Sequence, residues 1–217
     1  AAVIPGRDNL VQIKSRGHRI IKLDISDLKP RKREEGKAAS LVRGVAAALA
    51  ERGFKVGGFT AYTTSDVIPG SGLSSSAAFE IMLGTIFNEI YNNNKADAIT
   101  LAQVGQEAEN VYYGKPSGLM DQLACSVGGM IYVDFADEKN PQVEKLSADL
   151  NALGMDLCIV KTDGEHSDLT DDYAMVPKEM KDVAGIFGKS FLNEVSEKEF
   201  YERIGEVRTA LGDRPAL

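Results

Sequence analysis

Tryptophan is absent from these 217 residues, cysteine and histidine each occur only twice, and no apolar run approaches the roughly 18 residues needed to cross a bilayer. Each scarcity narrows the reading. Cys125 and Cys158 stand in apolar runs without CxxC or Cys/His spacing, which sets aside a disulfide framework and a thiolate metal site and predicts buried free thiols in a reducing cytoplasm. Positive charge is short as well. A net charge of -7 and a pI near 5.0 argue against nucleic acid or a membrane surface as the main partner, so a small anionic ligand must be met by local devices. The N-terminus has neither a basic n-region nor a cleavage site. It also lacks an initiator methionine, and the ending Asp213–Leu217 lacks a polar tail, so the expectation is a fragment cut at both ends.

What is present is an ordinary globular mixture, 43% hydrophobic and 26% charged, enough for one large or two modest domains with a sizeable core. Asn9–Ser15 and Arg19–Ile25 roughly alternate apolar and polar residues around Arg16-Gly17-His18 and predict a hairpin. The charged run Lys29–Glu35 reads as a solvated connection. Ala38–Arg52 has helical spacing and stops at Gly53, a good C-cap. Gly57–Thr64 is a strand pattern, followed by helices over about Leu73–Tyr91 and from an Asp97 N-cap to about Tyr112, then a short buried helix over Leu119–Val127. Strands are expected at Met130–Phe135, weakly at Gln142–Leu146 and strongly at Asp156–Lys161, with helices near Thr170–Phe187 and Ser196–Leu211. Strands first, helices interspersed and no steady βαβ alternation predict an α+β fold.

The most telling run is Pro69-Gly70-Ser71-Gly72-Leu73-Ser74-Ser75-Ser76, which feeds a strand into an apolar helix. Gly70 and Gly72 permit positive φ and close approach, and the first amides of the following helix lack intrahelical acceptors, so an anion fits there. It is neither a P-loop, which needs Lys-Ser or Lys-Thr after its last glycine, nor a G-x-G-x-x-G fingerprint. Instead of a lysine it offers the hydroxyls of Ser74, Ser75 and Ser76 for phosphate oxygens or a metal ion. Taken alone, the run also suits a plain capped helix start. Glu109 and Asp121 are further candidates, with a solvated helix-face acid and a first-turn acid as their plain alternatives.

Taken together, Thr64–Ala78, Glu109–Gln122 and His166-Ser167-Asp168-Leu169 with Tyr173 resemble the galactokinase branch of the small-molecule kinase superfamily that also holds homoserine, mevalonate and phosphomevalonate kinases. The Ser117-Gly118-Leu119-Met120-Asp121-Gln122 segment narrows the resemblance to galactokinase-like sugar kinases. The resemblance implies a ribosomal-protein-S5 type N-terminal domain over 1–140 and the start of a C-terminal α+β domain over 141–217, with the active site between them. It implies that Pro69 to Ser76 hold the phosphates of ATP, that Ser76 and Glu109 ligate Mg2+, that Asp121 faces the anomeric hydroxyl of galactose, and that Gly118 and Tyr173 contact the sugar. The alternatives are a non-catalytic sensor of ATP and sugar, or a kinase of the N-acetylgalactosamine, homoserine or mevalonate type. One departure stands out. The family's Gly-Arg-x-Asn-Leu-x-Gly-Glu-His-Thr-Asp signature does not occur; Gly6-Arg7-Asp8-Asn9-Leu10 echoes its start, but Val11-Gln12-Ile13-Lys14 follows, so the segment reads as a turn leading into a strand. The family's C-terminal glycine-rich motif is missing too, and the chain by itself is expected to be inactive.

Overall fold

The computed structural model describes residues 1–67, 72–137, 140–158 and 170–217, giving of 170–174 the backbone path alone. The chain divides into two compact units, one of Ala1–Phe135 with Asn140–Asp163, the other of Ala136–Lys139 with Gly164–Leu217. Helices and strands are mixed without βαβ alternation, an α+β arrangement.

In the first unit the expected hairpin forms from β2 (Leu10–Ser15) and β3 (Ile21–Asp24), and Gly6–Asn9 is the turn that leads into it. With β1 (Ala2–Pro5) and β4 (Phe59–Thr63) they make a four-stranded sheet in the order β1-β4-β2-β3. The β2–β4 pair is parallel and aligns Val11 with Phe59 and Ile13 with Ala61, so the alternation of period two puts these four side chains on one buried face. Two helices cover that face: α1 (Ala38–Glu51) through Val42, Val45, Ala46 and Leu49, and α2 (Ser75–Asn92) through Leu83 and Phe87. The Phe59 and Phe87 rings meet edge to face at 5.3 Å, a favourable aromatic geometry. The core thereby holds the end of β4 and the start of α2 in place, and these flank the glycine-serine run in the sequence.

Behind α1 and α2 lies α3 (Ala98–Glu107), capped as expected by Asp97, whose side chain accepts from the Thr100 amide at 2.7 Å. The helix then widens into a π-turn over Ala108–Tyr113, and α4 (Met120–Val127) follows. A small hairpin, β5 (Met130–Asp134) with β6 (Gln142–Leu146), contributes Ile131, Val133 and Val143 to a second cluster around Ala102, Leu119 and Leu123. In the second unit, α5 (Thr170–Ile186), α6 (Glu197–Leu211) and α7 (Asp213–Ala216) gather on Val183, Phe187, Val207 and Ala216.

Gly44 on α1 faces the π-turn, where an added Cβ would come within 2.8 Å of the Ala108 Cα and 2.9 Å of the Tyr112 ring. Alanine is the better helix former by about 1 kcal/mol, but overpacking of this kind costs about 1–3 kcal/mol. Gly44→Ala is therefore expected to be net destabilising, read as a lower midpoint of urea unfolding at unchanged m-value; a midpoint at or above wild type would contradict the close packing.

Three expectations need correction. The charged run 29–35 is not merely a solvated connection: a 3-10 turn over Lys32–Glu34 buries Glu34 against Arg43, with Arg43 Nε donating to Glu34 Oε2 at 2.7 Å. Arg43 lies fully buried on α1 and also donates to the carbonyls of Asp24 and Asp27, so it satisfies its donors only by drawing this run inward. Both cysteines are free, but they are exposed. On α4 the inward positions are Gln122 and Leu123, which turns Cys125 outward. Of the strand expected over Asp156–Lys161, residues 156–158 are irregular chain with Leu157 exposed, and residues 159–161 lie outside the described residues. Among the described residues no helix is long and apolar enough to cross a membrane.

Candidate functional site

β4 delivers the chain at Thr63 toward the glycine-serine turn, as its alternation predicts. Pro69, Gly70 and Ser71 lie outside the described residues. From Gly72 the path is clear: Gly72 has φ 76°, and Ser74, the residue that opens α2, has φ 54° and ψ 59°. A serine at an N-cap is normally extended and caps with its own hydroxyl. Ser74 does neither. It sits in the left-handed region, at a cost of order 1 kcal/mol, and its hydroxyl donates instead to the Asp121 carboxylate 47 residues away. The amides that open α2 consequently have no side-chain cap and remain available to an anion.

Two residues later Ser76 Oγ donates to Glu109 Oε1 at 2.9 Å. Glu109 is on the π-turn, 2% exposed, so it is not the solvated helix-face acid that α-helical spacing allows. Ala102 and Gly105, seven and four residues earlier, are buried too, so helical spacing carries the buried face of α3 on to Glu109 at the start of the π-turn. Glu109 Oε2 accepts from Gln122 Nε2 at 3.0 Å, and Lys115 Nζ forms an ion pair with Glu109 Oε1 at 3.3 Å.

The same Gln122 amide also donates to Glu80 Oε2 at 3.1 Å, so one buried carboxamide bridges two buried carboxyls. Burial, and after it the charge of Glu109, push the Glu80 carboxyl up to about 8. Among the described residues, Glu80 Oε1 and Gln122 Oε1 have no hydrogen-bond partner. Room for this pair comes from Gly105, where a Cβ would stand 3.2 Å from both the Gln122 and the Glu80 side chains.

The loop between the π-turn and α4 is clamped at Ser117, whose amide donates to Asn110 Oδ1 at 2.7 Å and whose carbonyl accepts from Gln106 Nε2 at 3.1 Å. Gly118 beside it is required by neither backbone nor packing: an added Cβ would meet nothing within 4 Å. Asp121 stands in the first turn of α4 and faces open space toward Ser74.

Of the residues named from the sequence, Ser74 with Asp121 and Ser76 with Glu109 are brought together on one turn, Leu73 is exposed beside them, and Ser75 lies half-buried at the start of α2. His166, Ser167, Asp168 and Leu169 and the Tyr173 side chain lie outside the described residues. Among the described residues no group of three or more His, Cys, Asp or Glu side chains forms a metal cage. A serine and a single carboxylate nonetheless suit Mg2+, which keeps several waters and is commonly held by one or two carboxylates plus substrate phosphates. The ammonium already seated on Glu109 Oε1 shows that this oxygen accepts a cation. Glu80, Lys115 and Asn110 were not singled out by sequence reasoning; Glu80 was visible only as a charge interrupting the apolar stripe of α2.

Residues 40–129 match the GHMP kinases N terminal domain. The chain is 32% identical over 168 residues to the galactokinase of Pyrococcus furiosus, covering 76% of this chain and 46% of that protein. To the galactokinase of Streptomyces coelicolor it is 33% identical over 192 residues, covering 86% of this chain and 48% of that one. It thus spans about half the length of the curated relatives it matches. Among solved structures, the galactokinase of Lactococcus lactis complexed with galactose superposes with a TM-score of 0.74 at 22% identity, over 99% of this chain and 56% of that one, which shows the fold. A D-glycero-D-manno-heptose 1-phosphate kinase from Bacteriodes thetaiotaomicron gives 0.55 at 21% identity over 68% of this chain.

Proposed function

We propose, from the match of residues 40–129 to the GHMP kinases N terminal domain, that the protein transfers the γ-phosphoryl group of ATP to the anomeric hydroxyl of galactose. The observation that carries the reading is the meeting of two clusters on one turn: Ser76 with Glu109, and Ser74 with Asp121. Phosphoryl transfer asks little covalent work of a protein. It requires held phosphates, neutralised charge and a carboxylate at the attacking hydroxyl, in line with the bond that breaks.

In this reading the run from Pro69 to Ser76 and the uncapped amides of α2 bind the triphosphate. Glu109 and Ser76 would hold Mg2+, which would supply charge neutralisation for the transferred phosphoryl group. Asp121 accepts the hydrogen bond of the anomeric hydroxyl, orients it and takes its proton as the new bond forms. The link to Ser74 keeps Asp121 beside the residues that open α2, so the carboxylate stands next to the proposed phosphate site. The open space over Gly118 admits the sugar ring. Residues 1–140 are assigned to the ATP-binding domain and 141–217 to the start of a second α+β domain, in a cytoplasmic enzyme; the 217 residues alone are assigned no turnover.

An acceptor panel tests the reading. With ATP and Mg2+, the full-length protein is expected to release ADP in the presence of galactose at least about 100-fold faster than with homoserine or mevalonate, whose positioning groups differ. Equal rates with all acceptors, or a preference for mevalonate, would contradict the galactose assignment. ATP and galactose binding with no ADP release would favour a sensor.

A further inference from the structure

We propose that Lys115 serves this phosphate cradle as the cation that its glycine-serine turn lacks, a role that rests on the reading of that turn as an ATP site. A P-loop places its lysine directly after the last glycine, where it reaches the β- and γ-phosphates. Here Gly72 is followed by Leu73 and three serines, so the turn offers amides and hydroxyls but no ammonium. The fold supplies one from another direction. Lys115 Nζ pairs with Glu109 Oε1, the same atom that accepts the Ser76 hydroxyl. The ammonium therefore stands where the first turn of α2 and the buried carboxylate converge.

The attachment of Lys115 suits a side chain that changes partners. Its backbone is fixed: its amide donates to the Glu109 carbonyl at 3.2 Å, and Ser117 two residues on is clamped to Asn110 and Gln106. Its side chain is not, being 51% exposed and tied to Glu109 by a single contact. A half-exposed ion pair of this sort adds little to stability. Glu109, moreover, keeps hydrogen bonds on both oxygens without it, from Ser76 and from Gln122. A divalent cation arriving at Glu109 Oε1 repels the ammonium from that atom. The strongest acceptors then within reach are phosphate oxygens held by the same turn, and a triphosphate carries more negative charge than one divalent cation cancels. Lys115 thus holds the place of the metal before nucleotide arrives and becomes a phosphate ligand afterwards.

The test compares Lys115→Met, which keeps an apolar stem, with Lys115→Arg, which keeps the charge. Affinities of the full-length protein for ATP and AMP are measured calorimetrically in excess Mg2+. A lost charge-assisted hydrogen bond corresponds to about tenfold or more in affinity, so K115M is expected to bind ATP at least about tenfold more weakly, AMP within about twofold of wild type, and K115R to recover most of the loss. Equal weakening of ATP and AMP in K115M would reveal a structural role and overturn the proposal, as would ATP affinity within twofold of wild type. A wild-type protein that binds no ATP would overturn the nucleotide-site reading itself, and with it the role of Lys115. The first two results leave that reading standing.

Discussion

Asp121→Ala is expected to lower kcat for galactose phosphorylation by about 10²–10⁴-fold, the range typical of losing a positioned acid-base group, while the Kd for Mg-ATP moves by less than about threefold. The asymmetry follows from where Asp121 stands. It is exposed in the first turn of α4, and its hydrogen bond is to Ser74 and not to the buried Glu80–Gln122–Glu109 group. Its removal leaves the core and the buried Glu109 carboxylate untouched. Asp121→Asn separates charge from orientation, since the carboxamide oxygen can still accept from Ser74 but cannot take a proton. Both variants are expected to be slow; turnover of either at the wild-type rate would remove Asp121 from the chemistry. Steady-state kinetics together with nucleotide titration on the same samples read both quantities.

Glu80→Gln is expected to change the pH dependence of stability. The wild-type carboxyl is held near 8 in the folded protein, against an ordinary value of 4.5. Between these pH values the folded chain retains a proton that the unfolded chain has released. Stability from this group is therefore fully present below about pH 4.5 and is lost as the pH rises toward 8, by at most about 4 kcal/mol. Glutamine imitates the protonated acid at every pH and brings a donor into a pocket where Gln122 Oε1 has none. The variant should match wild type near pH 5 and exceed it in unfolding free energy by several kcal/mol near pH 8.5. Other titrating groups are common to both proteins, so the difference isolates Glu80. Parallel pH profiles from urea unfolding would contradict a buried neutral carboxyl.

Local pattern carried much of the fold. The alternation in Leu10–Ser15 and Phe59–Thr63 matches one buried face each, and the apolar run of Ala38–Glu51 gives a helix buried on every side from Ser40 to Leu49, so these elements follow from short-range chemistry. The failures share a cause as well. Glu34 sits in a charged run, and nothing nearby in sequence reveals that fully buried Arg43 will draw it in. Cys125 sits in an apolar run, but a helix of eight residues has one inward face and Gln122 with Leu123 occupy it. The site divides along the same line. Ser74, Ser76, Glu109 and Asp121 were legible because they stand in recognisable motifs. The Gln122 bridge between Glu80 and Glu109 and the ion pair of Lys115 with Glu109 depend on partners brought together from separate segments, which only the packed helices establish.

The most direct measurement is the anomalous diffraction of Mn2+, standing in for Mg2+, in crystals of the full-length protein with a non-hydrolysable ATP analogue and galactose. The expected result is one metal peak about 2.1 Å from Glu109 Oε1 and near the Ser76 hydroxyl, the triphosphate over the residues that open α2, and the anomeric hydroxyl within hydrogen-bond reach of Asp121. A metal away from Glu109, or a nucleotide bound away from the glycine-serine turn, would contradict the assignment of this site.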